Sequence, residues 1–154
     1  MTVELPAARS GAVRRRDAIA RFEARDADAW VATAAADGSV HLVPLSYAWH
    51  GERIVIAVAT GSPTARNILA SGQVRLGFGP TRDVVVVDAE LDRNVPATDA
   101  GTIGEAYAAQ ADWDPRAEPD GYVFLALSPR RIQAWRKSNE LAGRLLMRDG
   151  TWLP

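Results

Sequence analysis

Asp37-Gly38 constrains what this chain can fold into more than any other pair of residues. A two-residue D-G turn twists its flanking strands the right way for antiparallel pairing. It stands between an apolar run over residues 29–36 and a return run over 39–49 that carries Val40, Leu42, Leu45, Tyr47 and Trp49. His50-Gly51 makes the next turn, and residues 53–59 read as a further, fully apolar strand. Val74, Leu76 and Phe78 alternate through residues 73–79, and the β-branched run 84–91 follows a turn over 80–83, which makes a second hairpin. Residues 122–128 and 131–135 read as strand on either side of Pro129, and Asp149-Gly150 sets up a last turn and strand. Apolar spacing predicts an amphipathic helix over 13–25 and an Ala/Glu-rich helix over 98–112. Residues 1–12 and 116–121 read as irregular. Hairpins without βαβ crossovers predict a mainly β chain, an antiparallel barrel of six to seven strands with two or three inserted helices. The expected organisation is a single domain over 1–154, with a barrel core over 29–91 and closing strands and tail over 122–154.

Composition narrows the partners. The 154 residues are 47% hydrophobic and 24% charged with a net charge of -1, so nothing argues for nucleic acid or an anionic membrane. No apolar run approaches the length of a membrane span and no signal-peptide core is present, which makes a cytoplasmic protein the simplest expectation. Without cysteine there is no thiolate nucleophile and no thiolate metal site. Arg14-Arg15-Arg16 reads as a solvated helix face rather than a phosphate patch.

Two stretches invite a functional reading. Thr60-Gly61-Ser62-Pro63-Thr64 follows the 53–59 strand and opens a short helix marked by Ala65, Ile68 and Leu69. Ser62 suits the N-cap and Pro63 the first helical position. Such a turn is either simply a well-capped helix or, through its hydroxyls and unpaired N–H groups at a positive dipole end, a phosphate cradle. Pro44, within the return strand, marks an edge, a break in pairing, or a bulge that aims Pro44-Leu45-Ser46 at a site.

Other chemistries fail. Gly77-Phe78-Gly79 lacks the third glycine and the helix of a dinucleotide fingerprint, and there is neither a P-loop nor a G-x-S-x-G elbow. His41 and His50 have no ligand spacing around them, so no metal site is expected. No residue has the setting of a general acid or base. A phosphate-compatible turn, an interrupted strand and a Trp-bearing C-terminal segment together suit a phosphorylated planar cofactor.

The order of these motifs resembles the FMN-binding split β-barrel proteins related to pyridoxamine 5'-phosphate oxidase. The likeness rests on the D-G hairpin, Val43-Pro44-Leu45, the Gly61–Ile68 turn, Thr81-Arg82-Asp83 with the V-V-V-D strand, and a tail with Trp135, Arg144 and residues 148–154. The resemblance implies a homodimer with a flavin in each groove between subunits. Val43, Pro44, Leu45 and Ser46 would lie along the ring, and Thr60, Ser62, Thr64, Arg66 and Asn67 would hold the phosphate. Trp135 and Arg144 would reach in from the partner. Family members with a strong FMN site often carry basic residues where Pro63 and Thr64 stand here, which leaves Arg66, or Arg82 from the hairpin tip, to supply the positive charge. FMN is the first cofactor implied and a deazaflavin the alternative, with haem or another tetrapyrrole behind both. The implied activity is transfer of a hydride or electrons to a small-molecule acceptor. A non-catalytic cofactor binder on the same fold is the alternative.

Overall fold

The computed structural model describes residues 4–118 and 121–154. Helix α1 (Gly11–Phe22) leads into β1 (Asp28–Ala34) and β2 (Val40–Ser46), which pair antiparallel across the Asp37-Gly38 turn. β3 (Ala48–His50) and β4 (Arg53–Ala59) form the next hairpin, and α2 (Pro63–Ser71) carries the chain to β5 (Gln73–Phe78). β6 (Val84–Pro96), α3 (Gly101–Gln110), β7 (Tyr122–Trp135), β8 (Leu145–Arg148) and β9 (Thr151–Trp152) complete the order. Every pairing is antiparallel. Seven strands run in the order β2-β1-β5-β6-β7-β4-β3, with β8 and β9 attached beyond β7. The mainly β antiparallel barrel is therefore present.

The return strand expected over 39–49 is two strands, because Tyr47 breaks it. β2 and β3 are consecutive in the chain yet lie at opposite edges of the sheet. Tyr47 is the corner between them, buried to 1% exposure with its hydroxyl donating to the Arg21 carbonyl at 2.7 Å. It meets Phe78 edge-on at 4.9 Å between centroids, and Phe22 packs on both Phe78 and Trp49. This aromatic knot in the barrel interior sets where the sheet splits. Pro44 causes no bulge: the β1–β2 register runs unbroken through Trp30↔Pro44. A proline is tolerated there because β2 is an edge strand that needs no donor on its free side. The bulges fall instead in β6–β7, at Asp88/Ala89 opposite Pro129 and at Leu91/Arg93. β7 thus runs through Pro129 without ending, and β6 extends five residues past the expected stop at 91.

The helices are shorter than their periodicity suggested. α1 stops at Phe22, ahead of a turn in which Asp26 takes a positive φ of 53°. The 98–112 segment divides into a 3-10 turn, Ala97–Asp99, and α3. The 116–121 loop expectation falls partly on residues 119 and 120, which lie outside the described residues, as do residues 1–3 of the lead-in.

Arg14 is not on a solvated face. It is 4% exposed and donates to the carbonyls of Arg9, Ala134, Glu140 and Ala142 at 2.8–3.2 Å. α1 lies against the tail, so the arginine nearest that contact must spend its donors on carbonyls the tail leaves unpaired. Arg15 lies over the Trp152 ring, 4.5 Å from its centroid. Beside them the Glu140 carboxylate, 3% exposed, accepts from Arg9 N at 2.8 Å, Arg9 Nε at 3.0 Å, Arg9 Nη2 at 2.7 Å and Arg136 N at 2.9 Å. The Arg9 guanidinium pulls its pKa from the ordinary 4.5 down to about 2.

A carboxylate whose folded pKa lies below its unfolded one stabilises the fold above the ordinary glutamate range, and that contribution is lost as pH falls toward the folded value. Glu140→Gln is expected to cost about 3 kcal/mol at neutral pH, the penalty for leaving a buried charge without its partner. In urea titrations the gap between wild type and variant should narrow as the pH drops from 4.5 toward about 2. A gap that stays constant across that window would contradict this assignment.

Candidate cofactor site

The residues singled out from sequence fall into two groups that one protomer does not bring together. The first lies at the β4–α2 turn. Ser62 caps α2, its Oγ accepting from Ala65 N at 3.1 Å, and Pro63 takes the first helical position. Arg66 N bonds back to the Ser62 carbonyl at 3.0 Å. Pro63 has no N–H, and Thr64, which follows it, is buried at 3% exposure, so the exposed part of the turn is Thr60, Gly61, Pro63 and Arg66. Arg66 is exposed and folds back to donate from Nη1 to the Gly61 carbonyl at 2.8 Å, which parks its guanidinium beside the turn. Thr60, also exposed, is held by its N–H on the Gly121 carbonyl at 3.2 Å. Asn67 donates to Thr33 Oγ1 at 3.1 Å and so ties α2 to β1 rather than facing the turn.

β2 brings Val43, Pro44, Leu45 and Ser46. Val43 and Leu45 lean inward, Leu45 against the core, and Pro44 faces out. Ser46 donates to the Asp28 carboxylate at 3.0 Å. Its carbonyl accepts a long 3.5 Å bond from Tyr107, which itself accepts from Trp113 Nε1 at 3.1 Å. Burial pushes the Tyr47 and Tyr107 phenols up to about 12, so both stay protonated at neutral pH and neither serves as a base.

The second group is Arg82, Trp135 and Arg144. Trp135 ends β7, in register with Val84 just past the Gly79–Asp83 tip that carries Arg82. Gly79 is required in that tip: its φ is +81°, and a Cβ would come within 2.7 Å of the Asp83 carbonyl oxygen. Arg144 precedes β8, its Nε on Gln133 Oε1 at 3.2 Å and its Nη1 on the Leu141 carbonyl at 2.9 Å. The opposite end of β7, Tyr122, pairs with Ala59, next to the turn. The β4–α2 turn and the Arg82/Trp135/Arg144 group therefore stand at opposite ends of a 14-residue strand, ~40 Å of strand at about 3.3 Å per residue, while β2 pairs only with β1.

Sequence reasoning missed the outer face of the β1–β2 hairpin. Trp30, Val40 and Leu42 are 54%, 85% and 59% exposed, and cross-strand pairing aligns them with Ala32, Ala34 and Pro44 on one side. A groove of ≈ 900 Å³ continues from this patch past Ala32, Ala34 and Val40 to the Arg75–Asp88 ion pair. It contains none of the expected site residues. The signal was available: Trp30 and Leu42 are large apolar residues at alternate positions to buried Val31 and half-buried Val43, so both faces of the hairpin are apolar and the outer one is exposed.

No His, Asp or Glu cluster able to hold a metal occurs among the described residues, and no helix there is long and apolar enough to cross a membrane.

A family model described as pyridoxamine 5'-phosphate oxidase matches residues 16–136. The chain belongs to that family. No curated protein matches it by sequence. Solved structures share the fold. An F420 reductase is 21% identical with a TM-score of 0.61, covering 73% of this chain and 93% of its own. A haem binding protein from Mycobacterium smegmatis is 16% identical with a TM-score of 0.63 over 94% of this chain, which spans 60% of that protein. General Stress Protein 26 from Bacillus anthracis is 16% identical with a TM-score of 0.59, covering 80% and 93%. At these identities the likeness concerns the split-barrel fold, and the pyridoxamine 5'-phosphate oxidase family is the level at which the chain is placed.

If the β4–α2 turn is first of all a capped helix start, Ser62→Ala removes the cap and should cost about 1 kcal/mol, a fall of roughly 2–4 °C in Tm. A calorimetric scan checks this, and an unchanged Tm would show that Ser62 Oγ does not hold the helix.

Proposed function

We propose that the protein is a homodimeric oxidoreductase that binds FMN across its subunit interface and exchanges a hydride or electrons with a small-molecule acceptor. The observation that carries this reading is the separation along β7. A donor-rich turn at one end and an Arg82/Trp135/Arg144 cluster at the other are each half of a flavin site, and a two-fold dimer makes them meet in pairs. The apolar outer face of β1–β2 supplies a surface whose burial would hold such a dimer together.

The residues present fit a phosphorylated isoalloxazine. Thr60, Ser62 and Arg66 would hold the phosphate, and the free edge of β2 at Val43–Ser46 would run beside the ring. Trp135 and Arg144 of the other subunit would close the site, with Arg82 as a second source of charge. Bound FMN supplies the redox chemistry, and the chain's part is to bind, orient and exclude water. With Tyr47 and Tyr107 held protonated, no side chain of β2 or its neighbours is assigned a proton-transfer role.

The charge of the turn favours a second reading. FMN carries a phosphate monoester of nearly two negative charges, whereas a deazaflavin cofactor such as F420 carries a diester with one. Arg66 is the single cation at the turn, where Pro63 and Thr64 contribute none, and one cation with neutral donors matches a diester better. An F420 reductase shares the fold, which puts that carrier on the same footing for test.

Parallel titrations of purified protein with FMN and F420 separate the two. The true cofactor should bind saturably and raise Tm by roughly 5–10 °C at 100 times its dissociation constant. Absence of any shift with either would overturn the reading, and a Soret band in the protein as purified would point to haem. Arg66→Ala should weaken the preferred cofactor at least tenfold, about 1.5 kcal/mol or more, with Tm of the free protein unchanged. Unchanged affinity would assign the phosphate to Arg82.

A further inference from the structure

Between Trp135 and Arg144 the chain has no strand or α-helix. Residues 136–144 contain a single 3-10 turn, Ser138–Glu140, with its own bonds limited to Glu140 N on Lys137 O at 2.9 Å and Leu141 N on Ser138 O at 3.3 Å. The N-terminal segment, some 130 residues away in sequence, grips the middle of this loop, while the loop's far end is tied to β7 by Ala134 N on the Arg144 carbonyl at 2.9 Å and Arg144 Nε on Gln133 Oε1 at 3.2 Å. Glu140 takes four N–H groups on its carboxylate, filling its acceptor capacity, three from Arg9 and one from the main chain of Arg136. The Arg14 guanidinium donates to the carbonyls of Ala134, Glu140 and Ala142. Asn139 donates to the Pro6 carbonyl at 2.7 Å.

The grip is placed around the two residues that the composite site needs. Trp135 lies between Ala134, whose carbonyl Arg14 holds, and Arg136, whose N–H Glu140 holds. Arg144 is aimed by the carbonyl of Leu141, the residue after Glu140. The hairpin tip joins the same network: Asp83, next to Arg82, pairs with Arg9 at 3.9 Å, Arg21 at 3.4 Å and Arg136 at 3.3 Å. Burying Arg9 and Glu140 at 9% and 3% side-chain exposure is a weak way to gain stability, since well-packed apolar residues do as well or better. Its distinctive product is a fixed loop geometry.

We propose that Arg9, Arg14 and Glu140 are positioning residues: through loop 136–144 they present Trp135 and Arg144 to the cofactor of the partner subunit. This rests on the composite site proposed above. Disturbing the clamp should loosen the loop without touching the turn at Thr60–Asn67.

The test uses Arg9→Gln and Glu140→Gln in the full chain, with Arg144→Ala and the double variants Arg9→Gln/Arg144→Ala and Glu140→Gln/Arg144→Ala. The probe is whichever of FMN and F420 the wild type binds more tightly, titrated well below the Tm of every variant. Hydrogen exchange of the cofactor-free protein should rise across 136–144 and stay unchanged in β4. Each clamp variant should weaken binding roughly tenfold, the effect of one misplaced charge-assisted contact, and should add little once Arg144 is already alanine. A purely structural role predicts the same loss in both backgrounds. If Arg144→Ala weakens binding and the clamp variants do not, or if their effects simply add, the positioning role is overturned while the composite site stands. If Arg144→Ala itself changes nothing, or neither probe binds, the composite site fails and the positioning role with it. Should Glu140→Gln not fold, Arg9→Gln alone decides, because it leaves the Arg136 bond to Glu140 in place.

Discussion

The β6–β7 ladder governs the rest of the molecule. It pairs Val84 with Trp135 at one end and Pro96 with Val123 at the other, and it absorbs two bulges on the way. Its inner side carries the barrel core through Val85, Val87, Leu125, Leu127 and Ile132, all buried. Because the ladder is long and stiff, whatever is attached to its two ends is held apart. One end borders the α2 turn and the other holds Trp135, Arg82 and the tail. That separation is why the composite site proposed above draws on two copies of the chain.

Two devices fix what the ladder separates. Tyr47 turns the chain from one edge of the sheet to the other and, with Phe22 and Phe78, fills the place where the barrel would otherwise open. The Arg9–Glu140 and Arg14–carbonyl contacts fasten the tail to the N-terminal helix. The first is apolar and tolerant of small adjustment. The second is directional and charged, and its strength depends on geometry and on Glu140 staying ionised.

Much of this was legible in the sequence where local chemistry and global fold agree. Ser62-Pro63 and Asp149-Gly150 each encode a cap or turn that needs nothing from elsewhere, and each stands where its pattern places it. The Asp37-Gly38 hairpin forms too, but over a loop of residues 35–39 closed by Ala35 N on the Ser39 carbonyl at 2.9 Å, because only Gly38 of the pair takes a positive φ. The misses share a cause, which is tertiary context. Tyr47 looks like any apolar strand residue, and only the closed sheet makes it a corner. Pro44 signalled a disturbance but not its kind, since edge position is a property of strand order. Pro129 signalled a stop, yet the bulge opposite Ala89 lets β7 continue. Arg14 read as solvated because nothing local shows that carbonyls from residues 134–142 will surround it. Of the candidate site, the positions of Thr60–Asn67 and Trp135 were readable from motif order, whereas their separation along β7 was not.

The central claim is that each cofactor site takes its turn from one subunit and its Trp135/Arg144 wall from the other. The most direct measurement is subunit complementation. Arg66→Ala and Arg144→Ala proteins, each with weakened cofactor binding, are unfolded together, refolded as a one-to-one mixture and titrated. Random pairing makes half the dimers mixed, and each mixed dimer has one site with both arginines intact, so about a quarter of all sites should regain wild-type affinity. A mixture that binds no better than its two components would place both arginines in the same subunit's site, or in none, and would contradict the account.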